Sequence, residues 1–385
     1  MKAAPLLEIV VTARPSWARV KTVLYNYAQF YGAERVKLAL VGPAVSQRYG
    51  DISLQIDEKI QVNTFPALHD SDSLEAVALT CIEGANALAR HWANKRPDCV
   101  IVIADRTETL GVSMTAAIMQ IPLIHIQGGE ISGSIDDKIR DTNSKLADLH
   151  LTTNVETRER LIRLGEASHT IFITGCPSID LVENVLSDED ASQLNHDKLI
   201  GVGMNFSLEN SFGIIMFHPD TLNDQDNLRW VNSLIEAISS SELNWFWFWP
   251  NPDHGTNIIS RELRKSRELG LLSRVKFIIN LSPEDFIKLA SKSEVLVGNS
   301  SFGIREASYL GLPVINIGKR QNGRQKSDNV LNIEKPVDSS TLSHQIESHR
   351  LKEFPKSFLY GEGNAGEKIA RIIGGWVPQV KKRIP

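Results

Sequence analysis

The chain has 385 residues, too many for one ordinary hydrophobic core, so two domains of usual size are expected. Its 42 basic and 46 acidic residues leave a net charge of −4, and 42% of the sequence is hydrophobic, a globular composition with no sign of a nucleic-acid surface or an anionic-membrane surface. Three widely spaced cysteines, Cys81, Cys99 and Cys176, match no metal-ligand pattern and suit a reduced, cytoplasmic setting.

The start, MKAAPLLEIVVTARP, reads as a first strand rather than a signal peptide, because Glu8 interrupts the apolar stretch and no small-residue cleavage site follows. Strand-like runs at 6–12, 36–42, 99–105, 123–127, 149–153 and 170–175 alternate with helix-like stretches, the clearest at about 72–94. Such alternation predicts parallel strands with helices on both faces. After Asp180 the chain turns polar, which places a linker there between one domain over 1–182 and another over 200–385. A second series follows: FGIIMFH (212–218), a helix over 224–240, the aromatic strand WFWFW (245–249), a helix over 257–268, VKFII (275–279), a helix over 283–292, EVLVG (294–298), a helix over 304–310 and PVINIG (313–318). The expected fold class is α/β: two doubly wound Rossmann-like domains whose strand C-termini face one another across a cleft, where ligands of such sheets bind. The tail, GEGNAGEKIARIIGGWV, has a helical centre and leaves open whether it packs back on the first domain. No apolar segment approaches the roughly 20 residues that a membrane helix needs.

The stretch GNSSFGIREASYLGLP (298–313) is a strand end, a small-residue turn and a helix start. It admits two readings. In one, the unpaired N–H groups of the helix terminus receive a diphosphate, with Ser300, Ser301 and Gly303 allowing close approach. In the other, Ser300 or Ser301 simply caps the helix. Glu306 favours the first reading slightly, since a carboxylate one turn in can accept hydrogen bonds from a ribose. Other polar clusters also follow predicted strands: Arg14, Asp105 with Arg106, GGEISGSIDDKIR (128–140), His218, and PNPDHG (250–255). Singly, each has a structural explanation, such as a helix cap for Asp105, a first-turn acid for Asp136 or Asp137, and a turn filler for His218. As a set ending at one sheet edge, they point to a shared site.

With those motifs the chain resembles the hydrolysing UDP-N-acetylglucosamine 2-epimerases of sialic-acid biosynthesis, including the epimerase half of the animal bifunctional epimerase/kinase. GGEISGSIDDKIR, TGCPSID, FHPDT, PNPDHG, GNSSFGIREASYLGLPVINIG and RQNGR stand in the family's order from about Val10 to YGEGN (360–364), with no kinase portion. The resemblance implies a glycosyltransferase-B-like fold, and conversion of UDP-N-acetylglucosamine to UDP and N-acetylmannosamine through 2-acetamidoglucal, with no metal or nicotinamide cofactor. It also implies a cytoplasmic homodimer or homotetramer whose partner is the UDP-sugar. By the resemblance, Arg14, Arg320 and Arg324 neutralise the diphosphate beside Asn299, Ser300, Ser301 and Gly303. Glu306 holds the ribose and Arg106 takes the place of an arginine of the animal enzymes. Asp105, Asp136 and His218 share the acid/base work, with Arg140 supporting the acidic pair.

There are two departures from the family's pattern. Gln127, in HIQGGE, replaces a catalytic glutamate at a substrate-facing position, and Asp141, in IRDTNSK, replaces a histidine. Glutamine cannot shuttle a proton, so either that position is not the essential base, or Glu130 or Asp141 has taken over, or the chemistry or substrate differs. The competing expectations are the same chemistry on another UDP-HexNAc, such as UDP-2,4-diacetamido-2,4,6-trideoxyglucose, a glycosyltransferase of the same fold, and a weakly active nucleotide-sugar binding protein.

Overall fold

In the computed structural model, which describes residues 3–380 apart from 48–50, 70, 72, 134, 189–193, 195, 221–223, 251–254 and 280, the apolar runs form two separate sheets. They belong to two units. One consists of Met1–Glu130, Ile135–Leu181 and Tyr360–Pro385, the other of Ile131–Ser134 and Val182–Leu359.

The first unit holds β1 (Leu7–Val11), β2 (Val36–Val41), β3 (Gln61–Phe65), β4 (Cys99–Ile103), β5 (Leu123–Ile126), β6 (Leu149–Thr152) and β7 (Ile171–Ile173), in the spatial order β3-β2-β1-β4-β5-β6-β7. All the pairings are parallel. Its helices are α1 (Arg14–Ala18), α2 (Lys21–Tyr31), α3 (Leu74–Asn94), α4 (Thr107–Ile118), α5 (Asp136–Leu146) and α6 (Val155–Arg163), and α7 (Pro177–Ser187) begins in it. Burial of both faces explains why the central strands are continuously apolar. Leu7, Ile9 and Val11 pack with Trp17, Leu24 and Tyr27 on one side, while Val10 packs with Val100, Leu88 and Trp92 on the other. Glu8 is the exception in β1. Its buried carboxylate accepts hydrogen bonds from the Trp92 indole and from Asn63 Nδ2 at 3.2 Å, and lies 3.1 Å from His91 Nε2.

The second unit holds β8 (Gly201–Gly203), β9 (Phe212–Met216), β10 (Asn244–Phe248), β11 (Val275–Ile278), β12 (Val295–Gly298), β13 (Val314–Ile317) and β14 (Val330–Ile333), in the order β14-β13-β12-β9-β10-β11-β8. Only β8 is antiparallel, against β11. The helices are α8 (Asp224–Ser239), α9 (Thr256–Glu268), α10 (Pro283–Ser291), α11 (Ser301–Ile304), α12 (Glu306–Leu310) and α13 (Ser339–Arg350). Trp245 and Trp247 of the aromatic strand join one core layer, Phe246 and Phe248 the other.

The polar segment after Asp180 conceals β8, and the single helix expected over 304–310 is two short ones broken at Arg305. The last helix, α14 (Ala365–Gly375), packs in the first unit, where Ile369, Ala370 and Ile373 enter the same core layer as Val23, Leu24 and Tyr27 of α2. Its first N–H groups are capped from α7. Asp180 accepts hydrogen bonds from Ala365 N at 2.8 Å, Gly366 N at 2.6 Å and Thr22 Oγ1 at 2.9 Å. Burial raises the Asp180 pKa against these donors.

Candidate active site

Strand order decides which loops meet. In the first sheet the order reverses between β1 and β4, and in the second between β9 and β12; ligands of doubly wound sheets bind beyond the strand C-termini at such points. Arg14 follows β1 and Asp105 follows β4, while His218 follows β9 and Asn299, Ser300 and Ser301 follow β12.

In the first unit, Arg14 is half-buried and carries no hydrogen bond or ion pair among the described residues. Burial lowers its pKa to about 10, so the guanidinium stays charged at neutral pH and offers an anion an uncompensated partner. Asp105 is ion-paired with Arg140, which is fully buried and also donates to Asp137 Oδ1 at 2.5 Å and to the Glu130 carbonyl at 2.8 Å. Asp136 is half-buried in the first turn of α5, beside Asp137. Arg106 forks onto the buried Glu108 at 3.0 and 3.2 Å, and the Glu130 carboxylate accepts from Thr153 Oγ1 at 2.9 Å.

Two residues before these loops are left-handed without being glycine, Ala104 at φ 56° and Gln127 at φ 64°. Such backbone persists only where its surroundings hold it. Gln127 is fully buried; its Nε2 donates to Cys176 Sγ at 2.7 Å, and its Oε1 has no partner among the described residues. The glycines that follow it are required. A Cβ on Gly128 would lie 2.7 Å from Ser144 Oγ, and Gly129 has φ 82° with the Thr157 carbonyl 2.3 Å from where a Cβ would be. Asp141 is already engaged, forked onto Arg160 at 2.6 and 2.7 Å, and this hydrogen bonding raises the Arg160 pKa.

In the second unit His218 is buried, and its main chain is held on both sides by one amide: its N–H donates to Asn299 Oδ1 at 2.8 Å, and its carbonyl accepts from Asn299 Nδ2 at 2.8 Å. The Asn299 carbonyl accepts from Gln321 Nε2 at 3.0 Å and from Arg320 at 3.4 Å, and Arg324 donates to Gln321. The RQNGR loop is thus tied to the GNSS turn.

The turn itself answers to packing. Gly298 has φ 147°, and a Cβ there would lie 2.0 Å from the Met216 carbonyl. A Cβ on Gly303 would lie 3.1 and 3.2 Å from the side chains of Val314 and Leu296, so its smallness seats the helix on the sheet. Ser300 caps Phe302 N at 3.4 Å, and Ser301 Oγ accepts from the fully buried Arg305 at 2.8 Å. Glu306 is buried 4.0 Å from Arg305 Nε, and its Oε2 has no hydrogen-bond partner among the described residues, leaving an acceptor for a ligand hydroxyl. Of PNPDHG, residues 251–254 lie outside the described residues, as does Thr221 of FHPDT. Among the described residues no cluster of His, Cys, Asp and Glu is built as a metal site.

The profile described as UDP-N-acetylglucosamine 2-epimerase matches residues 33–374. The chain belongs to that family. A Neisseria meningitidis serogroup B protein named UDP-N-acetylglucosamine 2-epimerase is 33% identical over 74% of this chain and 74% of its own. One from Legionella pneumophila, named UDP-N,N'-diacetylbacillosamine 2-epimerase (hydrolyzing), is 30% identical over 73% of this chain and 72% of its own. In fold, the Methanocaldococcus jannaschii UDP-GlcNAc 2-epimerase, solved in complex with UDP-GlcNAc and UDP, matches with a TM-score of 0.78 at 16% identity over 95% of this chain and 99% of that one. The two parallel-sheet domains therefore have the glycosyltransferase-B-like fold of these epimerases.

Sequence reasoning left Arg305, Gln321, Asn143 and His125 unassigned. Arg305 was detectable as a lone cation in an apolar helix start, and His125 as the one polar residue inside LIHI.

Proposed function

We propose that the chain hydrolyses and epimerises UDP-N-acetylglucosamine, releasing UDP and N-acetylmannosamine. A sugar C2–H has no neighbouring carbonyl to acidify it, so its loss must be coupled to departure of the diphosphate from C1. The C2–H bond breaks toward a protein base, its electrons form the C1–C2 double bond of 2-acetamidoglucal, and the C1–O pair leaves with UDP. Water then adds at C1 and a proton returns to the opposite face of C2.

The observation that carries this reading is the Asp105 carboxylate, held by a fully buried arginine beyond β4 in a member of this family. A carboxylate so placed suits proton transfer, shared with Asp136 and His218. The uncompensated Arg14, with Arg320 and Arg324, suits the charge that grows on the leaving diphosphate. The Glu306 oxygen that has no hydrogen-bond partner among the described residues suits a ribose hydroxyl. Glutamine at 127 and the ion-paired Asp141 leave Glu130 as the carboxylate of HIQGGE able to take part.

The Legionella relative's name favours a second reading, the same chemistry on a UDP-2,4-diacetamido-2,4,6-trideoxy sugar. A panel of UDP-sugars with identification of the freed sugar separates the two. N-acetylmannosamine formed at the highest kcat/KM supports the first, and a diacetamido product at the highest kcat/KM supports the second. No turnover on any UDP-HexNAc refutes both.

A further inference from the structure

His125 lies in β5, fully buried, and both of its ring nitrogens are engaged. Nε2 is 3.0 Å from the Ala104 carbonyl and Nδ1 is 2.9 Å from Ser144 Oγ. A carbonyl can only accept, so Nε2 carries the hydrogen and Nδ1 accepts from the Ser144 hydroxyl. The same carbonyl takes a second bond from Asn143 Nδ2 at 3.4 Å, whose amide is itself anchored on Thr109 Oγ1 at 2.8 Å. Ala104 is the single left-handed residue between β4 and Asp105. An L-residue with a Cβ leaves that conformation unless its peptide groups are held. The carbonyl clamped by His125 and Asn143 belongs to the peptide that leads into Asp105, so the clamp sets the direction in which the Asp105 side chain leaves the main chain toward Arg140.

We infer that His125 is a positioning residue that aims the Asp105 carboxylate through the Ala104 carbonyl, and that it carries no proton in the reaction. The inference rests on the assignment of Asp105 to the chemistry. Burial, the largest influence, holds the imidazole pKa down to about 4, with His150 of the neighbouring strand acting the same way. Asp141 and Glu130, and the bond to Ala104, pull it upward by less. The ring is therefore neutral throughout the working range.

Three measurements test this. In the wild-type protein labelled with 15N-histidine, the His125 ring is expected to show the Nε2–H tautomer from pH 5 to 9 without titrating; a ring that titrates between pH 5 and 8, or carries its hydrogen on Nδ1, overturns the inference. His125→Gln keeps an N–H where Nε2 stood, and is expected to retain kcat within about tenfold with unmoved pH-profile midpoints. His125→Phe is expected to lose about 10²-fold in kcat, the scale of a misplaced catalytic group, with KM and UDP affinity little changed. Equal loss in both variants, or full kcat in the phenylalanine variant, overturns it. A crystal structure of His125→Phe should show Ala104 out of the left-handed region and the Asp105–Arg140 pair separated; an undisturbed pair overturns it. If the wild-type protein turns over no UDP-HexNAc, the functional reading fails by itself, while the ring tautomer and the geometry of the variant still decide the clamp. If the phenylalanine variant does not fold, the glutamine variant and the wild-type spectrum decide it.

Discussion

Arg140→Leu removes the cation at the centre of the Asp105 site. The guanidinium is fully buried, and its loss takes the buried cation from beside the Asp105 and Asp137 carboxylates and a donor from the Glu130 carbonyl. Breaking a buried pair by removing one partner costs about 3–5 kcal/mol. Asp105 and Asp137 remain 14% and 20% exposed, so water recovers part of that cost and the lower end, about 3 kcal/mol, is expected. At roughly 2–4 °C per kcal/mol for a unit of this size, the melting temperature should fall by about 6–12 °C. Urea unfolding of wild type, Arg140→Leu and Arg140→Leu with Asp137→Asn measures it directly. Because the cost comes from the cation lost beside the two carboxylates, the double variant should regain part of the loss. A single variant within 1 kcal/mol of wild type by the buried-pair argument, or a double variant less stable than the single one, would refute it.

Glu306→Ala should weaken UDP binding by about 2 kcal/mol, roughly 30-fold, through loss of hydrogen bonds to a charged acceptor; calorimetry giving an unchanged Kd would remove Glu306 from the ribose. Asp180→Ala should destabilise the first unit by about 2–4 kcal/mol, since two helix N–H groups and the Thr22 hydroxyl lose their acceptor. The folded-state pKa of Asp180 is raised, so the folded state holds the proton more tightly. Its contribution to stability is therefore greatest at low pH and declines as pH rises from the usual carboxylate range through the raised value, and urea titrations at several pH values would expose an opposite trend. Gln127→Glu buries a carboxylate beside Cys176 Sγ, the one side-chain partner of Gln127 among the described residues, and should cost stability; a melting temperature equal to wild type would show that the site accommodates the charge.

The doubly wound plan was readable because strands buried on both faces are continuous apolar runs, as in CVIVI and VLVG. Of the edge strands β7 was readable within 170–175, but β3, β8 and β14 were not. QVNTF is half exposed and polar, and GVG of β8 is three exposed residues whose only signal is pairing with β11, over seventy residues away. The break at Arg305 was hidden because Ile304 to Leu310 has continuous helical composition, while the first short helix begins at Ser301, inside the stretch that read as a small-residue turn. Site residues after the strands could be placed at one sheet edge by alternation alone, but Asp105 and Arg140 are 35 residues apart and their pairing lies in the fold. The same holds for Asp141, whose arginine is 19 residues away on another helix. Gly298 read only as the end of a strand, and the Met216 carbonyl that forbids a side chain there belongs to a strand that no local pattern connects to it.

The elimination and hydration proposed for this chain is tested most directly by turnover of UDP-N-acetylglucosamine in D2O, followed by NMR of the products. The account predicts a manno sugar carrying deuterium at C2, released with equimolar free UDP. A released sugar that keeps protium at C2 would mean simple hydrolysis at C1, and a manno sugar still linked to UDP would mean epimerisation without hydrolysis; either result contradicts it.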